Sequence, residues 1–192
     1  MLFMSFLIYV FVGSFTPGPN NILSMSNASR YGYKKTLPFS CGVMTGFFVV
    51  MLFCSCFNLL LFRFIPKIEF ALAIIGSMYM IYLAIGIMRS KPQKKEEETK
   101  PYTFLTGVLL QFMNPKGILY GLTAVSTYIL PHYNSSLSLI LFSIFLAFIS
   151  FLSTSSWAMF GSLFQRFLAK NERPFNVLMG LLLIYAAFSI HV

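Results

Sequence analysis

Charged residues are scarce in this sequence, and acidic ones are the scarcest. Of its 192 residues, 10% are charged and only 5 are Asp or Glu, whereas 57% are hydrophobic. Residues 36–62 and 117–165 contain no Asp, Glu, Lys or Arg. Globular domains use apolar residues for about half of the chain, and about 20 apolar residues cross a hydrocarbon core of about 30 Å. The composition therefore excludes an ordinary soluble domain and predicts an all-α integral membrane protein.

Residue types that carry catalysis or bind metals are also few. The three cysteines, Cys41, Cys54 and Cys56, fall in one apolar stretch, with neither a disulfide framework nor a metal-ligand spacing. The two histidines, His132 and His191, lie at the ends of apolar stretches. A membrane-embedded enzyme needs a nucleophile with its base, or a set of metal ligands. We therefore expect no enzyme, no catalytic residue, no metal site and no cofactor.

The basic residues are distributed as in a membrane protein with six spans. The apolar spans lie at about 2–29, 37–62, 68–88, 103–130, 136–160 and 174–190. Of the 14 Lys and Arg residues, 11 follow spans one, three and five, 2 follow span two, and Lys116 lies within span four. Cytoplasmic loops carry the excess of Lys and Arg, so this asymmetry predicts an N-out, C-out topology. It also accounts for the net charge of +9 without a basic patch, and we expect no nucleic-acid partner.

One polar stretch, RSKPQKKEEETKP at residues 89–101, divides the spans into two groups of three. Because three is odd, the second group must cross the membrane upside down relative to the first. A shift of 103 positions aligns residues 60–84 with 163–187 and gives 8 identities in 25 positions. Such inverted repeats are typical of secondary transporters. We therefore predict a single transporter domain, 1–192, with repeat one at about 1–88, a cytoplasmic loop at 89–102 and repeat two at about 103–192.

The first span carries two prolines near its middle, in the stretch FTPGPNNI. Proline has no backbone N–H, so Pro17 and Pro19 release the carbonyls of Gly13 and Phe15 from helical hydrogen bonding. Gly18 between them adds conformational freedom for an unwound turn. The sequence therefore predicts that the first helix is discontinuous.

The fourth span contains a similar break at Asn114–Gly117, where Pro115 is expected to release the carbonyl of Gln111. In the first span, Asn20 or Asn21 is expected to cap the helix that restarts after the break, because asparagine is favoured at N-caps. Helices one and four are thus both predicted to be discontinuous, at corresponding positions of the two repeats.

Paired interruptions of this kind are the best indicator of a transporter binding site in a sequence. Irregular backbone at membrane depth occurs only where protein or a water-filled cavity lines it. Freed carbonyls are partly negative, while Lys116 and the N-terminus of a restarting helix are positive. A zwitterionic amino acid matches this layout, with its carboxylate at Lys116 and its ammonium at the carbonyls. The predicted substrate-binding residues are Asn20, Asn21, Asn114 and Lys116, and the residues predicted to shape the site are Thr16, Pro17, Gly18, Pro19, Pro115 and Gly117.

Ordinary structural roles explain some of the same features. Proline is common in membrane helices, and a lysine side chain can extend to the membrane surface. Gly42 and Gly46 have the spacing of a close helix contact. The aromatic residues Tyr79, Tyr82, Tyr120 and Trp157 are typical of packing or interfacial positions, although one of them can also cover a substrate. The pairing of the two breaks favours a site over these alternatives.

Three short motifs lie at the breaks and in the third span. TPGPN occupies residues 16–20, NPK occupies 114–116, and GSMYMIYLAIG occupies 76–86. Together they resemble the LysE/RhtB superfamily of amino-acid exporters, although Met80 stands where leucine is commoner in the third motif. The stretches TPGPNNILSMSNAS, GVMTGFFVVMLFC, ILYGLTAVSTYILP and LFQRF are similar to the branch that exports cysteine and O-acetylserine.

The resemblance implies a multi-pass exporter of small neutral amino acids in the bacterial inner membrane, working by alternating access and proton antiport. Phe47 and Phe48 stand where many members carry an acidic residue or histidine, which disfavours basic substrates. Apart from Glu69 at an edge, no Asp or Glu lies in a span, so Lys116 is the candidate carrier of the coupling proton. The alternatives are export of homoserine, threonine or basic amino acids, and a membrane interaction protein that transports nothing. The expected partners are an amino-acid substrate and the lipid bilayer, and a homodimer is an open option.

Overall fold

The computed structural model describes residues 2–56, 74–75, 77–89 and 101–189, and the regular secondary structure in these ranges is all helical. In chain order the helices are α1 (Leu2–Phe15), α2 (Pro19–Tyr31), α3 (Tyr33–Cys56), α4 (Ser77–Arg89), α5 (Phe104–Phe112), α6 (Pro115–Thr123), α7 (Ser136–Leu163), α8 (Gln165–Lys170) and α9 (Glu172–Ser189). A π-helical segment, Ala124–Ile129, continues α6. The all-helical class agrees with the sequence prediction.

Several predicted features lie outside the described residues. They are most of the loop 89–102, the end of the second span and the beginning of the third, together with the charged part of repeat one at 63–69. Among the helices that are described, α3 and α7 are each long and apolar enough to cross a membrane, while α1 and α4 are apolar but shorter. The count of six spans and the inverted repeat therefore stay predictions.

The helical path is interrupted at both positions that the prolines indicate. Helix α1 ends at Phe15 and α2 begins at Pro19, so the first interruption is residues 16–18; α5 ends before α6, so the second interruption is residues 113–114. Proline is the first residue of both restarting helices, where its missing N–H removes no helical hydrogen bond. The first and fourth helices are discontinuous, as predicted.

Two hydrophobic clusters lie on either side of these interruptions. One joins α1, the second half of α3, the π-helical segment and the first half of α7; the other joins α2, the first half of α3, α4, α5 and α9. Val10 and Ile22 lie on opposite sides of the first interruption. Both are fully buried, and they belong to different clusters. The polar residues of the interruptions are therefore held between two apolar regions.

Close backbone contacts join α3 to α5. A Cβ atom on Gly42 would overlap the backbone carbonyl of Phe104, and one on Gly107 would overlap the carbonyl of Phe39. Gly46 faces the same helix, and a Cβ atom on it would lie 3.0 Å from the Cβ of Gln111. The small residues of α3 thus allow close helix packing, as their spacing predicted.

Polar contacts place several helix ends at one end of the bundle. Arg30 at the end of α2 forms an ion pair of 3.1 Å with Glu172 at the beginning of α9. The backbone carbonyl of Arg30 accepts a hydrogen bond of 3.3 Å from Gln165 Nε2, at the beginning of α8. Asn27 Oδ1 accepts one of 3.1 Å from the backbone N–H of Tyr102, just before α5. Ends that the distribution of basic residues assigns to one side are therefore neighbours, although the orientation relative to a membrane is still a prediction.

We expect Gly42→Ala to lower the melting temperature of the purified protein in detergent. Alanine favours helix over glycine, but here its methyl group would press on the Phe104 carbonyl, and overpacking costs about 1–3 kcal/mol. Gly86→Ala is the matched control, because no described atom lies within 4 Å of a Cβ at that position. Equal melting temperatures for the two variants would contradict the proposed contact.

Candidate functional site

The carbonyls released at the first interruption receive side-chain donors. Gly13 O accepts a hydrogen bond of 3.2 Å from Thr16 Oγ1, and Phe15 O accepts one of 3.2 Å from Trp157 Nε1 on α7. These are the two carbonyls that the prolines were predicted to release. Buried backbone groups need partners, so Trp157 has a specific role beyond the packing expected of it.

Asn21 and Ser153 stabilise the same segment from two sides. Asn21 Nδ2 donates to Ser14 O at 2.8 Å and to Thr16 O at 3.0 Å. The single O–H of Ser153 on α7 is shared between two acceptors, Ser14 O at 2.7 Å and Asn21 Oδ1 at 3.1 Å from its Oγ. The unwound residues are therefore connected both to their own restarting helix and to α7.

The prediction that Asn20 or Asn21 caps α2 was wrong. The N-cap is Gly18, without a side-chain capping bond. Asn21 lies in the first turn of α2. Its side chain extends back and donates to the backbone carbonyls of Ser14 and Thr16. Gly18 also differs from expectation, because its φ of −166° is extended backbone that any residue adopts. A Cβ there would lie 3.2 Å from Lys116 Cδ, so Gly18 provides space for that side chain.

Lys116 connects the second interruption to the first. Its Nζ donates to Thr16 O at 3.1 Å, to Thr16 Oγ1 at 2.8 Å and to Pro17 O at 3.2 Å. An ammonium group has three N–H donors, and three acceptors surround this one. The side chain of Lys116 therefore ends at the first interruption. It does not take the alternative considered from the sequence, in which a long lysine extends to the membrane surface.

The second interruption also differs from the prediction in one respect. The carbonyl of Gln111, which Pro115 was expected to leave free, accepts a hydrogen bond of 3.2 Å from the backbone N–H of Asn114. A tight turn at the end of α5 thus satisfies that carbonyl locally. Asn114 is the N-cap of α6, yet its side chain makes no capping bond.

Unpaired polar atoms concentrate at this site. Asn20 Nδ2 donates to Gln111 Oε1 at 2.6 Å, and these side chains and that of Asn114 are buried. Four buried side-chain atoms in the described part of the chain have no hydrogen-bond partner, and three of them are Asn20 Oδ1, Gln111 Nε2 and Asn114 Oδ1. Buried polar groups are normally paired, so three unpaired atoms in one place indicate a binding site for a polar molecule.

A cavity of about 50 Å³ lies between the two interruptions. The four predicted substrate-binding residues, Asn20, Asn21, Asn114 and Lys116, all line it, as do two of the predicted shaping residues, Gly18 and Gly117. The other shaping residues, Thr16, Pro17, Pro19 and Pro115, form the interruptions and the first residues of the helices after them. The structure thus brings the predicted residues to one place.

Sequence reasoning missed several polar residues of the cavity. Ser14, Gln111 and Ser153 line it, and Tyr120, expected to be a packing residue, lines it as well. The signal for Ser14 and Gln111 was their position beside the two breaks, three residues before Pro17 and four before Pro115. Ser153 lies in a serine-rich part of α7 and carries no comparable signal.

The cavity offers uncharged polar groups and one lysine. None of the described residues that line it is acidic, and the described residues include no cluster of His, Cys, Asp or Glu able to hold a metal ion. Amide, hydroxyl and carbonyl groups with one ammonium are suited to binding a small polar molecule.

Comparison with known proteins identifies the family. The model of the LysE type translocator family matches residues 11–192. The chain belongs to this family. The predicted superfamily is therefore confirmed, and the chain is a membrane transporter and no enzyme. No solved structure matches it.

Relatives of similar length share more than a third of its residues. The chain is 37% identical over 191 residues to a cysteine/O-acetylserine efflux protein of Klebsiella pneumoniae, covering 100% of this chain and 97% of the relative. It is 36% identical over 189 residues to the protein of that name in Escherichia coli O157:H7, covering 98% and 97%. It is 38% identical over 190 residues to the protein of that name in Salmonella choleraesuis, covering 99% of this chain and 97% of the relative. The similarity to this branch of the family extends over the whole chain.

We expect Ser153→Ala to lower the melting temperature in detergent. The substitution removes the donor to Asn21 Oδ1 and leaves a buried acceptor unpaired, which costs about 1–3 kcal/mol. Ser156→Ala is the control on the same helix, since Ser156 Oγ is bonded only to Leu152 O one turn earlier. A Ser153→Ala protein as stable as the control would contradict a stabilising role at the interruption.

Proposed function

We propose that this protein is a secondary-active exporter of small neutral amino acids in the bacterial inner membrane, with cysteine and O-acetylserine as substrates. The observation that carries the proposal is the polar cavity between the two interruptions, lined by Asn20, Asn21, Asn114 and Lys116. Full-length relatives named as cysteine/O-acetylserine efflux proteins support the substrate assignment.

The proposed architecture is a single domain of six spans in two inverted repeats, oriented N-out and C-out. Two proline-initiated helices, α2 and α6, restart on either side of one cavity, which is the arrangement that inverted repeats produce in secondary transporters. The contact of Arg30 with Glu172 supports a common side for the loops after spans one and five.

The cavity chemistry suits a zwitterion. Lys116 and the N-termini of α2 and α6 give one part of the cavity a positive potential for a carboxylate. Amide and carbonyl oxygens provide acceptors for an ammonium group. In this conformation the carbonyls of the first interruption are bound to Asn21, Ser153, Trp157 and Lys116, so a substrate meets the side-chain amides first.

Transport requires the cavity to open toward each side of the membrane. The cavity lies between the two interruptions, and both restarting helices contribute residues to its lining. We propose that movement of one repeat against the other widens the cavity toward each side in turn. Lys116, the basic residue of the cavity, is our candidate for the proton-coupling group.

Efflux from intact cells tests this function. Cells that overproduce the wild type should export cysteine and O-acetylserine faster than cells with the empty vector. Lys116→Ala should reduce export by at least about tenfold, because a hydrogen bond to a charged group contributes about 1.5–3 kcal/mol and Lys116 makes three. Lys35→Ala, at an exposed lysine of α3, is the control at matched expression and should export normally.

The other outcomes separate the alternatives. Export of homoserine, threonine or basic amino acids, without cysteine or O-acetylserine, would overturn the substrate assignment and keep the transporter. Flux that neither saturates nor depends on a gradient would indicate a pore. Absence of export of every amino acid by a correctly inserted protein would favour an interaction protein. Wild-type export by Lys116→Ala would contradict the assignment of the site.

A further inference from the structure

We infer that Gln111 and the N-terminus of α6 bind the carboxylate of the substrate, while the amide oxygens of Asn20 and Asn114 bind its ammonium group. The inference rests on the proposed function and extends it to the individual atoms of the site. It makes Gln111 a determinant of specificity for zwitterions and gives Lys116 a different role.

Unpaired atoms of deeply buried side chains carry the argument. Gln111 is 2% exposed, Asn114 5% and Asn20 7%. Each lines the cavity, and each has one side-chain atom without a hydrogen-bond partner in the described structure. Asn20 and Gln111 are bonded to each other, so each amide keeps one polar atom for a third partner. In this orientation the free donor is Gln111 Nε2 and the free acceptor is Asn20 Oδ1. Turning both amides over would put the acceptor on Gln111, and wild-type affinity for cysteine in Gln111→Glu would reveal that arrangement.

The donor side lies at the N-terminus of α6. The first backbone bond of α6 runs from Ile118 N–H to Asn114 O, at 3.1 Å. The N–H groups of Lys116 and Gly117 therefore precede the helical bonding pattern. Gln111 Nε2 lies directly against Gly117, because a Cβ on that glycine would overlap it. A helix N-terminus and a side-chain amide donor together favour a carboxylate.

The acceptor side consists of two neutral amide oxygens. Asparagine at an N-cap normally bonds to the first turn of its own helix, and Asn114 does not. Its Oδ1 and that of Asn20 are both unpaired. An ammonium group brings three N–H donors, whereas an N-acetylated amine is uncharged and brings one. The acceptors therefore select for a free ammonium group and for O-acetylserine over N-acetylserine.

Lys116 acts as a link between the interruptions. Its ammonium group is surrounded by Thr16 and Pro17 oxygens, so it holds the first interruption against α6 and contributes positive potential without contacting the substrate. Gln111, and not Lys116, contacts the carboxylate of the substrate directly.

Two same-size substitutions in purified, reconstituted protein distinguish the two sides of the cavity. Gln111→Glu replaces a donor by a carboxylate and should weaken the binding of cysteine, measured by competition, at least tenfold. Cysteamine lacks the carboxylate, so it should compete for binding to this variant. Asn114→Asp should keep or raise the affinity for cysteine, because it strengthens the ammonium side. Asn134→Asp, at an exposed residue that does not line the cavity, is the control and should behave as wild type. In the wild type, O-acetylserine should compete and N-acetylserine should not.

Equal weakening by Gln111→Glu and Asn114→Asp, or wild-type affinity in Gln111→Glu, would overturn the inference. If Gln111→Glu does not fold, Gln111→Met removes the same donor and should lose cysteine affinity tenfold in the folded protein, with a lower melting temperature because Asn20 Nδ2 loses its acceptor. If the wild type transports a different amino acid, the proposed substrates fail, and comparing that amino acid with its decarboxylated amine tests the carboxylate site in the same two variants.

Discussion

Proline cannot donate a backbone hydrogen bond, and the rest of this structure depends on where that deficiency occurs. Pro17, Pro19 and Pro115 interrupt two helices at points that lie between two hydrophobic clusters. The freed groups lie in part among protein atoms, and the protein supplies donors for them itself. Thr16, Asn21, Ser153, Trp157 and Lys116 supply them, which explains why the polar side chains of an apolar bundle converge at these two places.

The same constraint produces the candidate site. Donors that satisfy the first interruption come from Thr16 within it and from α2, α6 and α7, and residues with unpaired polar atoms line one cavity. Three of the four unpaired atoms in the described residues belong to residues that line it, Asn20, Gln111 and Asn114, and all three are atoms of neutral amides. A neutral lining with one nearby lysine matches a substrate without net charge, and it disfavours a charged side chain because no acidic residue lies among those that line the cavity.

Much of the site was predictable because proline acts locally. The carbonyls of Gly13 and Phe15, the restart of α2 and α6 and the four predicted binding residues all follow from rules about adjacent positions. The predicted capping role of Asn20 and Asn21 was wrong, because Asn21 binds carbonyls at the interruption and Asn20 binds the side chain of Gln111. Ser153 and Trp157 were missed as donors, because their partners lie more than 130 residues away in sequence.

The sequence by itself determined the helical class, the family, the two interruptions and the polar residues beside them. Each of these depends on composition, on a short motif or on the missing N–H of proline, and each acts within a few residues. Only the tertiary structure decided which donor meets which carbonyl, and that Lys116 reaches Thr16 across 100 positions of the chain. It also decided that Gln111 and Asn114 keep unpaired atoms, since pairing depends on how the helices pack and not on which residues are adjacent in the chain.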